Sequence, residues 1–576
     1  MFEYATSTNT NFSYLMNSLP FDIVNEIFSY LSQDDCINSM AVCRSWYERV
    51  PVYSFHLWRK IELLSGDQNT RLKNQRFLRC LGPHVRQVIL SPSNKTELLV
   101  FLDTLRNHMC DIQSIVFRQS KVVHQDVYQD ALQPFKNTLS ELSFQDHPYR
   151  LSPIHMMASC PNLTHYTYQF SNRPDYHTYS RVASSTLLPD TIQLPIKYLC
   201  LDTGSYSDFR LKSILQHCPQ LRCLIVNQSV PTTFDLDMCS RLCPELECLG
   251  FHNGVSQGAA KKWESYARRC GTRRSRGLRH FISAEIGGYG ARQMVPFLKK
   301  HQRTLKSIHI VGNNYRHYDN NINEQQKDKV KSWSDIQSIQ AHHLESIHLT
   351  GVVLRNESLG TFLRHSSQAL KRVVLDYEQM DFDDDVADAL ASLPYLRKLD
   401  ISIKKPEILT SWAPDMTLIG FKRFLASSNR LERISLGGDI LVDDEIIQFL
   451  CGIKSLKNLE LDHPECYNVT HLTANGISSL LTNNKNRLES LTFKNVESLT
   501  DDTLPSLRAS MGKSSSLKRL VLSGCNGITS EALFTFVQNE TALQELVIKN
   551  CMSISKNAMM ELNNNSRRLN IFFEEQ

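Results

Sequence analysis

One hydrophobic pattern recurs along most of the chain: an apolar residue, two others, a second apolar residue, one other, and a third apolar residue. Its clearest copies are Leu396-Arg-Lys-Leu-Asp-Ile401, Leu431-Glu-Arg-Ile-Ser-Leu436, Leu456-Lys-Asn-Leu-Glu-Leu461, Leu517-Lys-Arg-Leu-Val-Leu522 and Leu543-Gln-Glu-Leu-Val-Ile548. Further copies begin at Val85, Ile112, Leu139, Leu163, Ile196, Leu221, Leu246, Leu278, Leu305, Leu344, Leu370 and Leu488, and Leu569 begins an incomplete last one. Most starts fall 24 to 29 residues apart. The last two apolar positions lie two residues apart, as one face of a short strand requires. The roughly 15 residues between motifs suit one helix and two turns. Such a unit cannot bury its apolar face alone, whereas stacked neighbours build a continuous core. The spacing therefore predicts an α/β solenoid of about 17–18 repeats over residues 85–576, with parallel strands on a concave side and helices on a convex one.

The N-terminal pattern is different. Pro20 suits the first turn of a helix. Ile23, Ile27 and Leu31 follow at i, i+4 and i+8 as one apolar stripe. Ser32 and Asp34 offer caps for a second helix carrying Ile37, Met40, Ala41 and Val42, and Pro51 breaks the pattern. This predicts a disordered leader over 1–17, a three-helix module over 18–60 and a helical linker over 61–84. A module of about 40 residues is marginal on its own and needs a neighbour. Irregular spacing places longer loops at Ser171–Pro195, Asn313–Trp333, Lys404–Gly420 and Pro464–Asn475. The second of these is polar and Asn/Gln-rich, which suits a mobile excursion.

Composition narrows the function class. The 576 residues carry 64 Lys+Arg against 59 Asp+Glu, a balance of +5 too even for nucleic acid to be the main partner. The opening MFEYATSTNTNFSY has neither the basic nor the apolar region of a secretory signal. No run of about 18 apolar residues suggests a membrane span. The 16 cysteines are then expected to stay reduced, in cytosol or nucleus. Cys239, Cys243 and Cys248 are close together but lack the paired spacing of a zinc site. No P-loop, GxGxxG after a strand, GxSxG or HExxH occurs, so no enzyme chemistry, metal or cofactor is expected. Asp383, Asp384 and Asp385 resemble a metal cluster, yet like Asp443-Asp444 and Asp501-Asp502 they suit the start of an outer helix.

Two family resemblances follow from named residues. Residues 18–58 resemble the F-box: Leu19-Pro20, then Ile23, Ile27, Phe28 and Leu31, Asp35 before the second helix, and Val42-Cys43-Arg44, Trp46, Leu57 and Trp58. The departure is Cys36, where a leucine is usual. The remainder resembles the cysteine-containing leucine-rich repeats. Cys525 and Cys551 stand three residues after the last strand position, and Cys-Pro-x-Leu recurs at Cys160, Cys218 and Cys243. F-box followed by leucine-rich repeats is itself a family architecture. The resemblance implies a substrate receptor of an SCF-type cullin–RING ubiquitin ligase. In it the F-box binds a Skp-family adaptor through apolar helix surfaces, and the repeats hold a protein for ubiquitination and proteasomal degradation. The expected adaptor face is Leu19, Pro20, Ile23, Ile27, Phe28 and Leu31, some of which could instead fill the three-helix core. The alternative is a non-degradative interaction scaffold with the same fold.

A substrate surface can be sketched from the three positions that flank the last two apolar ones. The early repeats offer Val116, Tyr198, Cys200, Cys223, Ile225 and Ile282, an apolar series suited to anchoring. The later repeats offer Arg372, Asp376, Lys398, Asp400, Arg433, Glu460, Asp462, Lys494, Arg519, Glu545 and Lys549, either charge selectivity or a solvated face. His309 and His348 occupy the same middle position in consecutive motifs, with His252 and His280 on the two preceding strands. Paired strands would bring the first two within roughly 5 Å, where they could sense pH or hold an acidic or phosphorylated peptide. Lys261, Lys262, Arg268, Arg269, Arg273, Arg274, Arg276 and Arg279 form the densest basic cluster, a phosphate or acidic-peptide grip or a solvated helix and loop.

Overall fold

The computed structural model describes residues 20–64, 72, 74–122, 124–148, 151–170, 189, 191–202, 208–226, 235–251, 277–284, 290–311, 335–352, 356–366, 368–377, 383–403, 419–438, 443–463, 472–484, 487–505, 516–538, 543–565 and 569–574. The chain divides into two compact units, Met1–Gln228 with Asp237–Arg276, and Ser229–Leu236 with Gly277–Gln576.

The first unit opens with three helices, Phe21–Ser29 (α1), Gln33–Ser39 (α2) and Arg44–Tyr53 (α3). Helix α2 begins in a capping box: the Ser32 hydroxyl accepts from the Asp35 amide while the Asp35 carboxylate accepts from the Ser32 amide. Pro51 does not end α3 as the sequence suggested. It lies inside the helix, which runs only two residues further, to Tyr53.

The expected helical linker 61–84 differs at its start. Its start is a strand, Lys60–Leu63 (β1), and Gln75–Arg79 is a helix. Trp58, Ile61 and Leu63 reproduce the repeat pattern with tryptophan in the first place, which a leucine template does not register. Trp58 is fully buried, donates its Nε1–H to Ser54 Oγ at 3.0 Å and meets Phe77 edge-on at 5.9 Å. The Gln33 side chain donates to the carbonyls of Leu57 and Lys60 at 2.8 and 2.7 Å. The neighbour that the small helical module requires is thus the first strand of the repeat array.

In this unit β1 is followed by Gln87–Leu90 (β2), Ser114–Arg118 (β3), Glu141–His147 (β4), His165–Phe170 (β5), Tyr198–Leu201 (β6), Cys223–Val226 (β7) and Cys248–Phe251 (β8). Each pairs in parallel with the next. The second unit holds His280–Ala284 (β9), Ser307–Val311 (β10), Ser346–Thr350 (β11), Arg372–Tyr377 (β12), Lys398–Ile403 (β13), Arg433–Gly438 (β14), Asn458–Asp462 (β15), Ser490–Lys494 (β16), Arg519–Ser523 (β17), Glu545–Lys549 (β18) and Asn570–Glu574 (β19). These too form an uninterrupted parallel ladder. Outer helices such as Lys95–Asn107, Asp384–Ala391 and Asp444–Gly452 connect the strands.

Every one of the seventeen motifs starts two residues before its strand, from Val85 ahead of Gln87 to Leu543 ahead of Glu545. The fourth and sixth motif positions, such as Leu399 and Ile401 or Leu459 and Leu461, are buried. The last strand differs. Ile571 and Phe573, not Phe572, align with Leu546 and Ile548, so its frame begins one residue before Leu569 and leaves Phe572 exposed.

The eighth position turns the chain out of the sheet. Gln119, Asp146, Gly351, Asn495, Gly524 and Asn550 all stand there with φ between 51° and 65°. This left-handed conformation is one that Gly, Asn and Asp adopt most readily. The amides of Gln119, Gly351, Asn495, Gly524 and Asn550 still reach the following strand, at 2.7–3.1 Å from its carbonyls. Cys525 and Cys551, one position later, are buried with their thiols on carbonyls of the strand before, Phe493 at 3.7 Å and Leu522 at 3.8 Å.

The acidic pairs are structural. Asp383 and Asp443 are N-caps that accept from the amides of Val386 and Ile446. The residue after each reaches forward to the next helix start: Asp384 accepts from the Gly420 amide at 2.9 Å, and Asp444 from the Thr473 amide at 2.8 Å and its hydroxyl at 2.7 Å. Asp501 holds Thr529 in the same way, at 2.8 and 2.9 Å.

Candidate functional site

Helix α1 is apolar on two adjoining faces, and the module covers only one. Val24 and Phe28, four residues apart, are buried, with Phe28 against Trp46 at 6.3 Å and Tyr53 at 6.2 Å. Ile23 and Ile27, also four apart, are 49% and 43% exposed, and Pro20 is exposed beside them. Leu31 is half-buried at the helix end. Phe28, expected on the adaptor face, therefore belongs to the core, because its ring fills the space between α1 and α3. Leu19 lies outside the described residues.

Phe21, Tyr30, Val42 and Val52 add to the exposed set and had not been assigned to it. They sit near helix ends, where periodicity carries little information; a count of apolar residues in excess of what three short helices can bury would have flagged them. Six of the fourteen large apolar side chains exposed among the described residues fall within residues 21–52. The other eight are spread over the rest of the described residues.

The second candidate surface is the sheet face formed by the third, fifth and seventh motif positions. In the first unit Val116 on β3 is half-buried, and on β6 to β8 the face is not available as expected. Tyr198 and Ile225 are 5% and 2% exposed, and Cys200, Cys223 and Cys248 are buried with them. Strands β6 to β8 read YLCL, CLIV and CLGF and are buried on both faces, which is how a parallel strand covered on both sides reads. Ile282 is buried likewise.

From β10 onward in the second unit this face is largely polar and accessible. His309 and His348 are register partners, with rings stacked 3.8 Å apart and inclined by 14°. His348 Nε2 lies 2.7 Å from Thr350 Oγ1. His280 belongs to another row: it pairs with Ser307, whose hydroxyl is 2.9 Å from His280 Nδ1. Burial, with help from the Arg279 and Lys306 cations, pushes the His280 pKa down to about 4. His252 and the basic residues Lys261–Arg276 lie outside the described residues.

Beyond the histidines runs a ladder of ion pairs. Arg372 donates to Asp400 at 3.2 Å; Arg433 lies 3.7 Å from Asp400 and donates to Glu460 at 3.2 Å. Lys494 reaches Glu460 at 2.5 Å and Asp462 at 3.8 Å, and Arg519 meets Glu545 at 3.3 Å. Lys494 is half buried, which opposes its charge, but Glu460 and Asp462 outweigh this and raise its pKa. Arg433 and Arg519 are thus engaged within the sheet. Among the described residues of the second unit, Lys398 is the one Lys or Arg on this face without such a partner.

The F-box-like family model matches residues 16–63, the span that contains α1 to α3 and β1. No curated protein matches the chain in sequence. Among solved structures, the crystal structure of the Rad7 and Elc1 complex in yeast matches at 14% identity with a TM-score of 0.36, over 83% of each chain.

Proposed function

We propose that the chain is the substrate-recognition subunit of an SCF-type cullin–RING ubiquitin ligase. Its helical module sits on a Skp-family adaptor, and its repeat array holds a protein substrate for ubiquitination. The observation that carries the reading is the second apolar face of α1, Ile23 and Ile27, left open within the segment that the F-box-like family model matches. Burying an apolar face of that kind against a partner is favourable, and such faces commonly mark interaction sites. The receptor supplies proximity and orientation to a ubiquitin-conjugating enzyme bound elsewhere in the assembly and has no catalytic group of its own. Its cysteines suit a reducing compartment, cytosol or nucleus.

The test is co-expression with a Skp-family adaptor beside an Ile23→Asp/Ile27→Asp variant. The unmutated chain is expected to co-purify stoichiometrically and the variant to lose the adaptor while keeping its circular dichroism, because neither residue is in the core. A folded wild-type chain that ignores the adaptor would overturn the reading. Adaptor binding without ubiquitination of any captured partner in a reconstituted ligase would instead indicate a non-degradative scaffold.

A further inference from the structure

Strands β12, β13 and β14 place Arg372, Lys398 and Arg433 side by side at the third motif position, in direct register. Neighbouring strands are about 4.8 Å apart, so the three cations span roughly 10 Å. The outer two are tied down by Asp400, which lies between them with 16% of its side chain exposed. Lys398 is exposed and has no anionic partner among the described residues. Two held guanidinium groups therefore flank a free ammonium.

From this arrangement we infer that β12 to β14 bind an acidic segment of a partner protein, with one carboxylate or phosphate of that segment seated on Lys398. The occupant is a short anionic stretch and not a nucleic acid. A polyphosphate backbone laid over the row would meet Asp400 and Glu460, which stand among the cations, whereas an isolated anion meets Lys398 alone. The fifth-position row beside it reads His309, His348, Val374 from β10 to β12. Of the stacked imidazoles, His348 is the nearer, two strands across and two residues along from Lys398, about 12 Å, which an extended peptide covers in roughly three to four residues. A planar or apolar side chain at that spacing from the acid would reach it. This inference rests on the receptor reading only for what the bound segment belongs to.

The measurement is fluorescence anisotropy with the full chain and three labelled peptides of one sequence, carrying Asp/Glu, phosphoserine, or neutral Asn/Gln at the acidic positions. The charged peptides are expected to bind at least tenfold tighter than the neutral one, with affinity falling as salt rises. Lys398→Glu should remove that preference, while Arg519→Glu, on the same face but paired with Glu545, should leave it within twofold. A tighter phosphoserine peptide would assign the anion to phosphate, and a tighter Asp/Glu peptide to carboxylate. Equal binding of charged and neutral peptides, or an unchanged preference in Lys398→Glu, overturns the proposal. Adaptor co-purification is scored separately on the same preparations. Lys398-dependent binding by a chain that ignores the adaptor would refute the receptor reading and leave the peptide site standing; the converse result would do the opposite.

Discussion

Ile27 and Phe28 are adjacent in sequence and point about 100° apart around the helix, one exposed and one buried. The i, i+4 stripe in the sequence located an apolar face on α1, but two such stripes overlap there, and which of them meets the core depends on where Trp46 and Tyr53 stand. Tyr198 and Ile225 fail as surface residues for a related reason: alternation identifies the second face of a strand but says nothing about what covers it. The charged positions show the converse. Their face was legible, whereas their mutual pairing needed the register that sets Arg433 between Asp400 and Glu460.

His280 gives a pH dependence with a definite sign. Unfolded, it takes up a proton near its ordinary 6.5; folded, only near 4. Between those values the unfolded chain binds more protons, so acidification favours unfolding. The contribution is intact above about pH 6.5, drains away towards pH 4, and is worth up to about 3 kcal/mol. His280→Gln should therefore flatten the fall in thermal stability between pH 7 and pH 4.5 relative to the unmutated chain. Parallel curves for the two proteins would refute this.

At the scale of elements, strand positions were readable because burial imposes a two-residue period that few substitutions disturb. The exceptions were β1, where tryptophan stands for leucine, and β19, where three consecutive apolar residues leave the frame ambiguous by one. What could not be read was the contact between repeats. Gly476 illustrates it. A Cβ there would lie 2.0 Å from Asp444 Oδ1, the atom that accepts from Thr473. Gly→Ala inside a helix ordinarily stabilises by about 1 kcal/mol. Gly476→Ala is expected instead to destabilise by about 1–3 kcal/mol, by displacing that carboxylate. Gly452, whose Cβ would meet nothing within 4 Å, serves as the control. Denaturant midpoints for the two variants decide the matter, and a stabilised Gly476→Ala would discount the clamp.

Across the whole molecule, cysteine behaves as a small apolar filler. The fourteen described cysteines are thiols, and twelve of them are buried. Burial pushes the thiols of Cys36 and Cys110 up to about 11 and those of Cys80, Cys243 and Cys525 to about 12. At pH 8 their thiolate fraction is on the order of 1 in 1,000 or less, so they are protected both sterically and chemically. Iodoacetamide at that pH should label Cys43 and Cys451 first among these fourteen, the two that are partly exposed, and reach the rest only after denaturation. Peptide mapping that finds Cys525 or Cys218 modified in the native chain would contradict the packing described above.

The forward reach of the acidic residues also has a direction in time. Asp384 waits for Gly420, Asp444 for Thr473 and Asp501 for Thr529, the acceptor in each case preceding its donor along the chain. A ribosome delivers them in that order. At these three places the following repeat emerges to find the carboxylate that will hold its helix already made, so this part of the array can grow in the direction of synthesis, one repeat serving as template for the next.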